Sequence, residues 1–202
     1  MAPERPQGVD APTLPVEAPK GTSHVKDPSA PAGPGSGQLY AALDLGTNSC
    51  RMLIARAQGS QFHVIDSFSK TVQLGAGLEA TGKLSRTSME RTIQALRICQ
   101  KKLEKHQVTR MRLVATEACR RARNAREFIR QVKRETGLAI EVIAAEEEAR
   151  LAAISCAPLV SPTAEQLLVV DIGGGSTELV WVDLSNVAPE ERPRSVMNLR
   201  TG

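Results

Sequence analysis

Two short segments of this sequence combine an acidic residue with glycines and hydroxyls, the residue types that bind phosphate. In the second segment, Asp171 ends an apolar stretch, and the residues after Ile172 are Gly173, Gly174, Gly175, Ser176 and Thr177. Glycine permits positive φ and has no Cβ to hold a ligand away, so successive backbone N–H groups can close around an anion. The pattern predicts a strand, a tight turn with a phosphate-sized hollow, and a returning strand. An ordinary glycine hairpin would have a similar sequence.

The first segment repeats this arrangement 127 positions earlier in the chain. Asp44 corresponds to Asp171, and the turn that follows it consists of Gly46, Thr47, Asn48 and Ser49. Such self-similarity indicates one supersecondary unit used twice. Two hairpins of this kind can face each other across a cleft, where their amides would hold phosphate. The carboxylates of Asp44 and Asp171 would then hold a divalent cation through oxygen ligands.

The composition is that of a soluble globular protein and excludes several other classes. The chain has 202 residues, of which 41% are hydrophobic and 24% charged. It lacks an apolar run of the roughly 20 residues that would span a bilayer, and its N-terminus has no secretory pattern. Its four cysteines are scattered without metal-ligand spacing, which favours reduced thiols in a cytoplasmic protein over disulfides or zinc. We therefore expect a cytoplasmic protein without a membrane partner.

Positive charge is concentrated in the middle of the chain. Between Arg91 and Arg134 there are 14 lysines and arginines against three glutamates. A basic surface attracts polyanions, either nucleic acids or phosphate chains. Aromatic residues make up only 2% of the chain, which argues against base-stacking platforms and leads us to expect no sequence-specific nucleic-acid partner. A solvated helix face would show the same charges.

The first part of the chain reads as a tail followed by a meander and a helix. Residues 1–38 are rich in Pro, Ala, Gly and Ser, which predicts a disordered tail. Apolar stretches predict three strands at 39–44, 50–57 and 61–72, with a loop at 75–82. Ser85 is then the expected N-cap of a helix over 86–106, whose apolar face consists of Met89, Ile93, Leu96, Cys99 and Leu103.

The second part alternates strands and helices before the glycine hairpin. A strand is expected at 113–116, an arginine-rich loop at 116–124, and a helix that begins with a capping box of Asn124 and Glu127 and ends at Gly137. A strand at 140–144 and a helix over 146–156 follow. This order indicates an α/β sheet of mixed direction. Neither a G-x-G-x-x-G helix start nor a Walker A motif is present.

Four segments together give a specific resemblance. They lie at 44–49, 115–120, 141–150 and 170–179, and they carry DLGTNS, ATEACR, EVIAAEEEAR and VDIGGGSTEL. In this order they resemble the exopolyphosphatase/guanosine pentaphosphate phosphohydrolase family of the actin-like, sugar-kinase and heat-shock-protein ATPase superfamily. The glycine motif is shared across the superfamily, whereas the Glu-Glu-Ala-Arg run before it points to this family. The resemblance covers the chain from about Tyr40 to the C-terminus.

The resemblance implies a fold and a reaction. The fold would be α/β: a ribonuclease H-like, actin-type lobe at 39–160 with a mixed five-stranded sheet and flanking helices. The first strands of a second, truncated lobe would follow at 161–202. The reaction would be hydrolysis of terminal phosphoanhydride bonds in inorganic polyphosphate, or of the 5′ γ-phosphate of guanosine pentaphosphate. Mg²⁺ would assist this reaction in a cleft between the lobes.

The resemblance also implies roles for individual residues. Glu148 would activate the attacking water, and Glu178 would orient the water or the metal. Asp44 and Asp171 would lie next to the metal, residues 46–49 and 173–177 would bind phosphate, and Arg120 would contact the substrate. Water does need a positioned carboxylate to take its proton, and an anhydride needs its charge neutralised. Each residue also has a structural alternative, because residues 146–148 could simply begin a helix and Glu178 could face solvent.

Two other functions stay open at this point. The chain ends at Gly202, about where the second lobe would begin its own sheet, and the hairpin would then have too little sheet to bury both of its faces. A catalytically silent relative that binds phosphate compounds or a protein partner is therefore the main alternative, and pairing into a homodimer would cover exposed strands. A sugar kinase of the same superfamily explains Glu148 less well. Glu117 is set outside the site as a simple ion-pair partner.

Overall fold

A computed structural model describes residues 38–58 and 61–200 of the chain. The predicted tail therefore lies outside the described residues except for residue 38, and so does part of the turn expected at 58–60.

The predicted mixed five-stranded sheet is confirmed. Strands β1 (Leu39–Leu45), β2 (Ser49–Gln58) and β3 (Gln61–Thr71) form the expected antiparallel meander. Strand β4 (Arg110–Ala115) pairs parallel with β1, and the short β5 (Glu141–Val142) pairs parallel with β4, so the order is β3-β2-β1-β4-β5. The carboxyl ends of β1, β4 and β5 consequently meet at one edge of the sheet, and the segments that follow them start there.

Helices of very different lengths connect and flank these strands. Their bounds, in chain order, are α1 Leu78–Thr81, α2 Arg86–Lys105, α3 Glu117–Arg121, α4 Ala125–Thr136, α5 Ala145–Ser155 and α6 Arg192–Met197. None of the helices in 38–58 and 61–200 combines the length and the apolar character that crossing a bilayer requires.

The main core lies between one face of the sheet and helices α2 and α4. Alternate residues of β1 and β2 point into it, because successive side chains of a strand face opposite sides, and Leu43, Leu45 and Ile54 are fully buried there. The predicted apolar face of α2 packs onto them, with Met89 the one member that is only partly buried. Ser85 caps α2 as expected, since its side chain accepts a hydrogen bond from the backbone N–H of Ser88 at 3.1 Å.

Four local predictions were wrong. The loop expected at 75–82 contains α1, and the arginine-rich loop at 116–124 contains α3. The capping box is absent although α4 begins at the expected place: the Asn124 side chain instead accepts from the N–H of Leu84 at 2.8 Å and donates to its carbonyl at 3.1 Å. In the third case, a contact 40 residues away in sequence competes successfully with the local cap. The strand expected at 140–144 is also shorter, since only Glu141–Val142 pairs.

The glycine segment forms a two-stranded antiparallel hairpin of β6 (Gln166–Ile172) and β7 (Thr177–Asp183). Its inner face packs against α5 and α6 and joins a second apolar cluster around Val182, Leu184 and Val196. The outer face stays exposed in the described part of the chain, as the sequence analysis expects, and it carries Leu168, Val170, Ile172, Leu179 and Trp181. Whether 161–202 begins a second lobe stays a prediction.

A prediction for stability concerns Asp66 on β3, which holds the end of α2. Its carboxylate accepts hydrogen bonds from Lys102 at 2.6 Å and contacts His106 at 3.0 Å, and the Lys102 bond is the main reason that the pKa of Asp66 falls to about 2. Since a depressed carboxyl pKa stabilises the fold above the unfolded pKa, this contribution is lost as the pH falls from about 4 to about 2. Asp66→Asn should lower the free energy of unfolding by about 1–2 kcal/mol at pH 7.

Urea unfolding at several pH values checks this prediction. The difference between the unmodified protein and Asp66→Asn should shrink below pH 4 and fall to a small fraction of its value near pH 2. A difference that does not depend on pH in this window would contradict it.

Candidate functional site

The two turns predicted from the repeat have the same construction. Gly46 donates its backbone N–H to the carbonyl of Ser49 at 3.0 Å, and Gly173 donates in the same way to Ser176 at 2.9 Å. The strand registers also correspond, because Asp44 lies opposite Arg51 and Asp171 lies opposite Glu178. The repeat in the sequence is therefore a repeat in structure, and it extends over all seven residue pairs from Leu39–Arg56 to Leu45–Cys50.

The two turns lie in direct contact. A Cβ atom added at Gly174 would come within 2.9 Å of the Asn48 Cβ and 3.3 Å of its backbone nitrogen. A Cβ added at Gly175 would come within 2.6 Å of the Thr47 Oγ1. These approaches are possible only without side chains at the two glycine positions. The predicted phosphate-binding residues of both turns are thereby brought together at one place.

The first turn is held by the segment that leaves β3. The Asn48 carbonyl accepts hydrogen bonds from the N–H groups of Val72 and Gln73 at 2.8 and 2.9 Å, and the Thr47 carbonyl accepts one from Gly75 at 3.0 Å. These bonds use the carbonyls of the turn. They therefore fix the backbone of the turn without using its side chains.

Helix α5 carries Glu148 to the same region as Asp44 and Asp171. Asp44 lies on the face of the sheet away from α2 and α4, and that face also borders Leu151 of α5 in a cavity of about 530 Å³. The pKa of Asp44 is raised, first by loss of hydration even though part of the side chain reaches solvent, and then by the negative charges of Glu148 and Asp171. Arg51 acts in the opposite direction. Glu148 and Asp171 thus both lie close enough to Asp44 to act on its charge.

Arg120 contacts Glu148 at the carboxyl edge of the sheet. Its Nη1 donates to the Glu148 Oε2 at 2.7 Å and to the Ile143 carbonyl at 3.1 Å. Its Nε and Nη2 donate to the Glu117 Oε2 at 3.2 and 3.0 Å. In this structure the predicted substrate-side arginine is therefore engaged by two carboxylates. At least one guanidinium hydrogen remains for a further acceptor.

Glu178 does not face solvent. It is 9% exposed, and it lies on the inner face of the hairpin, the same face as Asp171. Directly opposed residues in an antiparallel ladder have Cβ atoms about 5 Å apart, so Glu178 and Asp171 form a second pair of neighbouring acids. The alternative that Glu178 is a solvent-facing strand residue was wrong.

The three adjacent glutamates at the start of α5 have different surroundings. Glu146 is exposed, whereas Glu147 accepts hydrogen bonds from Arg150 at 2.6 and 2.9 Å and from Arg112 at 2.8 Å. The Arg150 contact is the main cause that lowers the pKa of Glu147 to about 2. Arg150 also donates to the Leu199 carbonyl at 2.9 Å. Through Arg112 and Arg150, Glu147 therefore links β4 to the segment after α6, and Glu148 is the member of the run that lies near Asp44.

The donor set fits a cation that takes few protein ligands. Within the described residues, no three acidic, histidine or cysteine side chains converge closely enough to hold a metal ion by themselves. Mg²⁺ usually binds through one or two carboxylates and fills its remaining positions with water and phosphate oxygens. The pKa of Asp44 is raised first by desolvation and then by the neighbouring carboxylates, and a bound cation would offset the negative charge of those carboxylates. Binding of Mg²⁺ by Asp44 and Asp171 stays a prediction.

Sequence reasoning missed two residues beside the predicted site. Arg51 lies opposite Asp44 and opposes the rise of its pKa. The repeat could have found it, because Arg51 occupies the position that corresponds to Glu178 at the offset of 127. Glu117 was assigned to a simple ion pair, and that pair exists, but its partner Arg120 also binds Glu148.

A prediction follows from the crowding of acids around Asp44. Asp44→Asn removes one charge without changing the shape of the side chain, so the repulsion from Glu148 and Asp171 is lost. Because a raised carboxyl pKa costs stability above the unfolded pKa, the variant should be more stable at pH 7. Solvent screening limits the gain to about 0.5–1 kcal/mol. Thermal unfolding at pH 7 and at pH 4 checks this, and a gain that does not shrink at pH 4 would contradict it.

Comparison with known proteins gives a consistent result. A family model described as the Ppx/GppA phosphatase family matches residues 53–200. The "PPX-GPPA enzyme" of Aquifex aeolicus has 40% sequence identity and a TM-score of 0.65, with 72% of this chain and 48% of that chain covered. An exopolyphosphatase from Cytophaga hutchinsonii has 28% identity and a TM-score of 0.69, covering 73% of this chain and 47% of that one. An exopolyphosphatase-like protein is 34% identical, with a TM-score of 0.68 and coverages of 75% and 47%.

The chain thus spans about half the length of each of these solved structures. The family match, residues 53–200, includes the end of β2, the strands β3 to β5 and the hairpin of β6 and β7.

Proposed function

Because this chain belongs to the Ppx/GppA phosphatase family, we propose that it hydrolyses terminal phosphoanhydride bonds. The substrate is inorganic polyphosphate, or the 5′ γ-phosphate of guanosine pentaphosphate. The observation that carries the proposal is the direct contact of the two glycine turns beside Asp44 and Glu148. One turn alone is an ordinary hairpin tip, whereas two turns that meet next to acids offer donors and carboxylates to the same phosphoryl group.

The turns bind the phosphate chain. The Gly46 and Gly173 N–H groups close the two turns. Backbone N–H groups of residues 47–49 and 174–177 donate to phosphate oxygens, and the hydroxyls of Ser49, Ser176 and Thr177 add donors. Phosphoryl transfer needs little covalent help from the protein, so catalysis consists mainly of placing the reacting groups and neutralising charge. Residues 173–175 are exposed in the described part of the chain, which supports their access to a ligand.

Glu148 takes a proton from the attacking water. Its Oε2 accepts the hydrogen bond from Arg120, so Oε1 is the oxygen available to the water. The water oxygen bonds to the terminal phosphorus, the bridging P–O bond breaks, and the electron pair leaves with the shortened chain. Orthophosphate is the other product. Glu178, buried next to Asp171, orients the water or the cation from the hairpin side.

Asp44 and Asp171 are the residues that would hold Mg²⁺. When bound, this ion would neutralise charge on the transferring phosphoryl group. Arg51 lies opposite Asp44 in the ladder. Its guanidinium supplies a further positive charge to the site, in addition to the ion.

A cytoplasmic location belongs to the same proposal. Cys50, Cys99 and Cys119 are free and buried, and burial raises the pKa of Cys119 to about 12. A buried, protonated thiol such as that of Cys119 is compatible with a reducing compartment.

The test is orthophosphate release by the purified chain. Long-chain polyphosphate and guanosine pentaphosphate are supplied separately, each with Mg²⁺ or with a chelator, and binding is followed in parallel by calorimetry. We expect release that depends on Mg²⁺ for at least one substrate. Binding without release would overturn the proposed hydrolysis and favour the alternative of a catalytically silent relative. Absence of both binding and release would contradict the proposed phosphate site as well.

A further inference from the structure

We propose that Glu117 is a positioning residue of this site: it fixes Arg120, and through Arg120 it fixes the carboxylate of Glu148. The inference rests on the proposed function, because it concerns the reaction in which Glu148 takes the proton from water. Glu117 itself would touch neither substrate nor water.

The contacts form a continuous chain of three side chains. The Nε and Nη2 of Arg120 both donate to one oxygen of Glu117, at 3.2 and 3.0 Å. The Nη1 on the other side donates to Glu148 at 2.7 Å and to the Ile143 carbonyl at 3.1 Å. Because a guanidinium is planar and rigid, holding one edge also sets the direction of the opposite edge. The position of Glu117 therefore determines where Arg120 meets Glu148.

The Glu117–Arg120–Glu148 chain of side chains is largely shielded from water. The side chains of Glu117, Arg120 and Glu148 are 21, 17 and 20% exposed. Ion pairs on an open surface contribute little because solvent screens them, and the exposed pair of Glu79 and Arg121, at 88 and 45%, is of that kind. The Glu117–Arg120–Glu148 chain is screened less, so its geometry is better defined than that of a surface pair.

The fold places the members at neighbouring strand ends. Glu117 and Arg120 belong to α3, which directly follows β4, whereas Glu148 belongs to α5, which follows β5. Strands β4 and β5 are parallel and adjacent, so the two helices begin at the same edge of the sheet. Arg120 connects the helices there, and the Ile143 carbonyl that it binds lies just after β5.

The consequence for the reaction is a fixed general base. With its Oε2 bound by Arg120, Glu148 can direct Oε1 to the water. Without Glu117, one edge of the guanidinium is free, and Arg120 can turn toward phosphate or pull Glu148 with it. A small misplacement of a reacting group lowers the rate about 100-fold. The loss should appear in kcat, because Glu117 is not one of the residues proposed to bind the phosphate chain.

A purely structural role is the competing explanation. Glu117 and Arg120 are three residues apart on a helix of five residues, and such a pair can simply stabilise the helix. A structural pair would change the unfolding midpoint and would affect kcat only through the folded fraction. A positioning residue changes the behaviour of Glu148 in the folded protein.

The experiment compares Glu117→Ala and Glu117→Gln in the full chain with the control Glu79→Gln. The control removes the carboxylate that pairs with Arg121 at 3.3 Å. Glu117 also lies 3.8 Å from Arg121, so both substitutions remove an acid beside the same arginine. We expect kcat to fall about 10- to 100-fold in Glu117→Ala and less in Glu117→Gln, which keeps an acceptor oxygen, while KM changes less than about twofold. Glu117→Ala combined with Glu148→Gln should lose no more activity than Glu148→Gln alone.

An NMR measurement tests the same inference without turnover. In the unmodified protein the Arg120 Nε–H should exchange slowly with water and the side-chain couplings of Glu148 should report one rotamer. Glu117→Ala should remove both signatures, and Glu79→Gln should keep them. If Glu148 keeps one rotamer in folded Glu117→Ala, or if the loss lies in KM or appears equally in the control, the inference is overturned. If the unmodified chain releases no phosphate but Glu117→Ala removes both NMR signatures, the proposed function fails and the positioning contact stands.

Discussion

Replacing Glu148 with glutamine is expected to lower orthophosphate release about 100- to 10,000-fold while polyphosphate binding stays unchanged. Glutamine keeps the shape of the side chain and an oxygen that accepts the hydrogen bond from Arg120, which lies 2.7 Å away in the unmodified protein. It cannot take a proton from water. The proposed binding groups are the two turns, and they keep their contact because Glu148 is not part of it. Release at saturating substrate and calorimetric binding, measured on the same preparation, check the prediction.

Glu146→Gln is the matched control for this variant. It removes one charge from the same helix start, but Glu146 is exposed and lies two residues earlier. Its release rate should remain within about twofold of the unmodified protein, since substitutions away from structural features usually have small effects. Equal losses in the two variants would show that net charge at the start of α5, rather than proton transfer by Glu148, governs the reaction.

The repeat explains why so much of the site could be predicted from the sequence. Matching spacings at Asp44 and Asp171 required matching turns, and the same backbone bond closes both turns at 3.0 and 2.9 Å. Local patterns also determined the three strands of the meander and the long helix α2, whose apolar face has a clear helical period. These features depend on neighbouring residues, which a sequence displays directly.

The contacts that could not be predicted join residues far apart in the sequence. Asn124 has the spacing of a helix cap, yet its side chain binds the backbone of Leu84. Glu117 has the spacing of a simple pair with Arg120, and only the fold adds Glu148 as the second partner. Periodicity and propensity contain no information about which distant group competes for a side chain. For the same reason, the three glutamates of α5 look equivalent in sequence and differ in structure.

Gly174→Ala should separate the two turns, and it tests the approach on which the proposed site depends. The new methyl group would lie 2.9 Å from the Asn48 Cβ and 3.3 Å from its backbone nitrogen. A backbone atom cannot rotate away, so one turn must shift. Overpacking of this kind typically costs about 1–3 kcal/mol, and a shift of the donors should weaken phosphate binding at least about tenfold. Thermal unfolding and calorimetric titration with polyphosphate measure the two effects.

Gly46→Ala separates the effect of turn contact from the effect of adding a methyl group to a glycine turn. At that position the new Cβ would meet only the Ser49 carbonyl oxygen, at an ordinary 3.5 Å. Gly46→Ala should therefore unfold close to the midpoint of the unmodified protein, while Gly174→Ala unfolds earlier. If both variants unfold at the same temperature and bind polyphosphate equally well, the contact between the turns has no energetic role. The two turns would then be independent hairpin tips beside the acids near Asp44, and they would not act together as one phosphate-binding site.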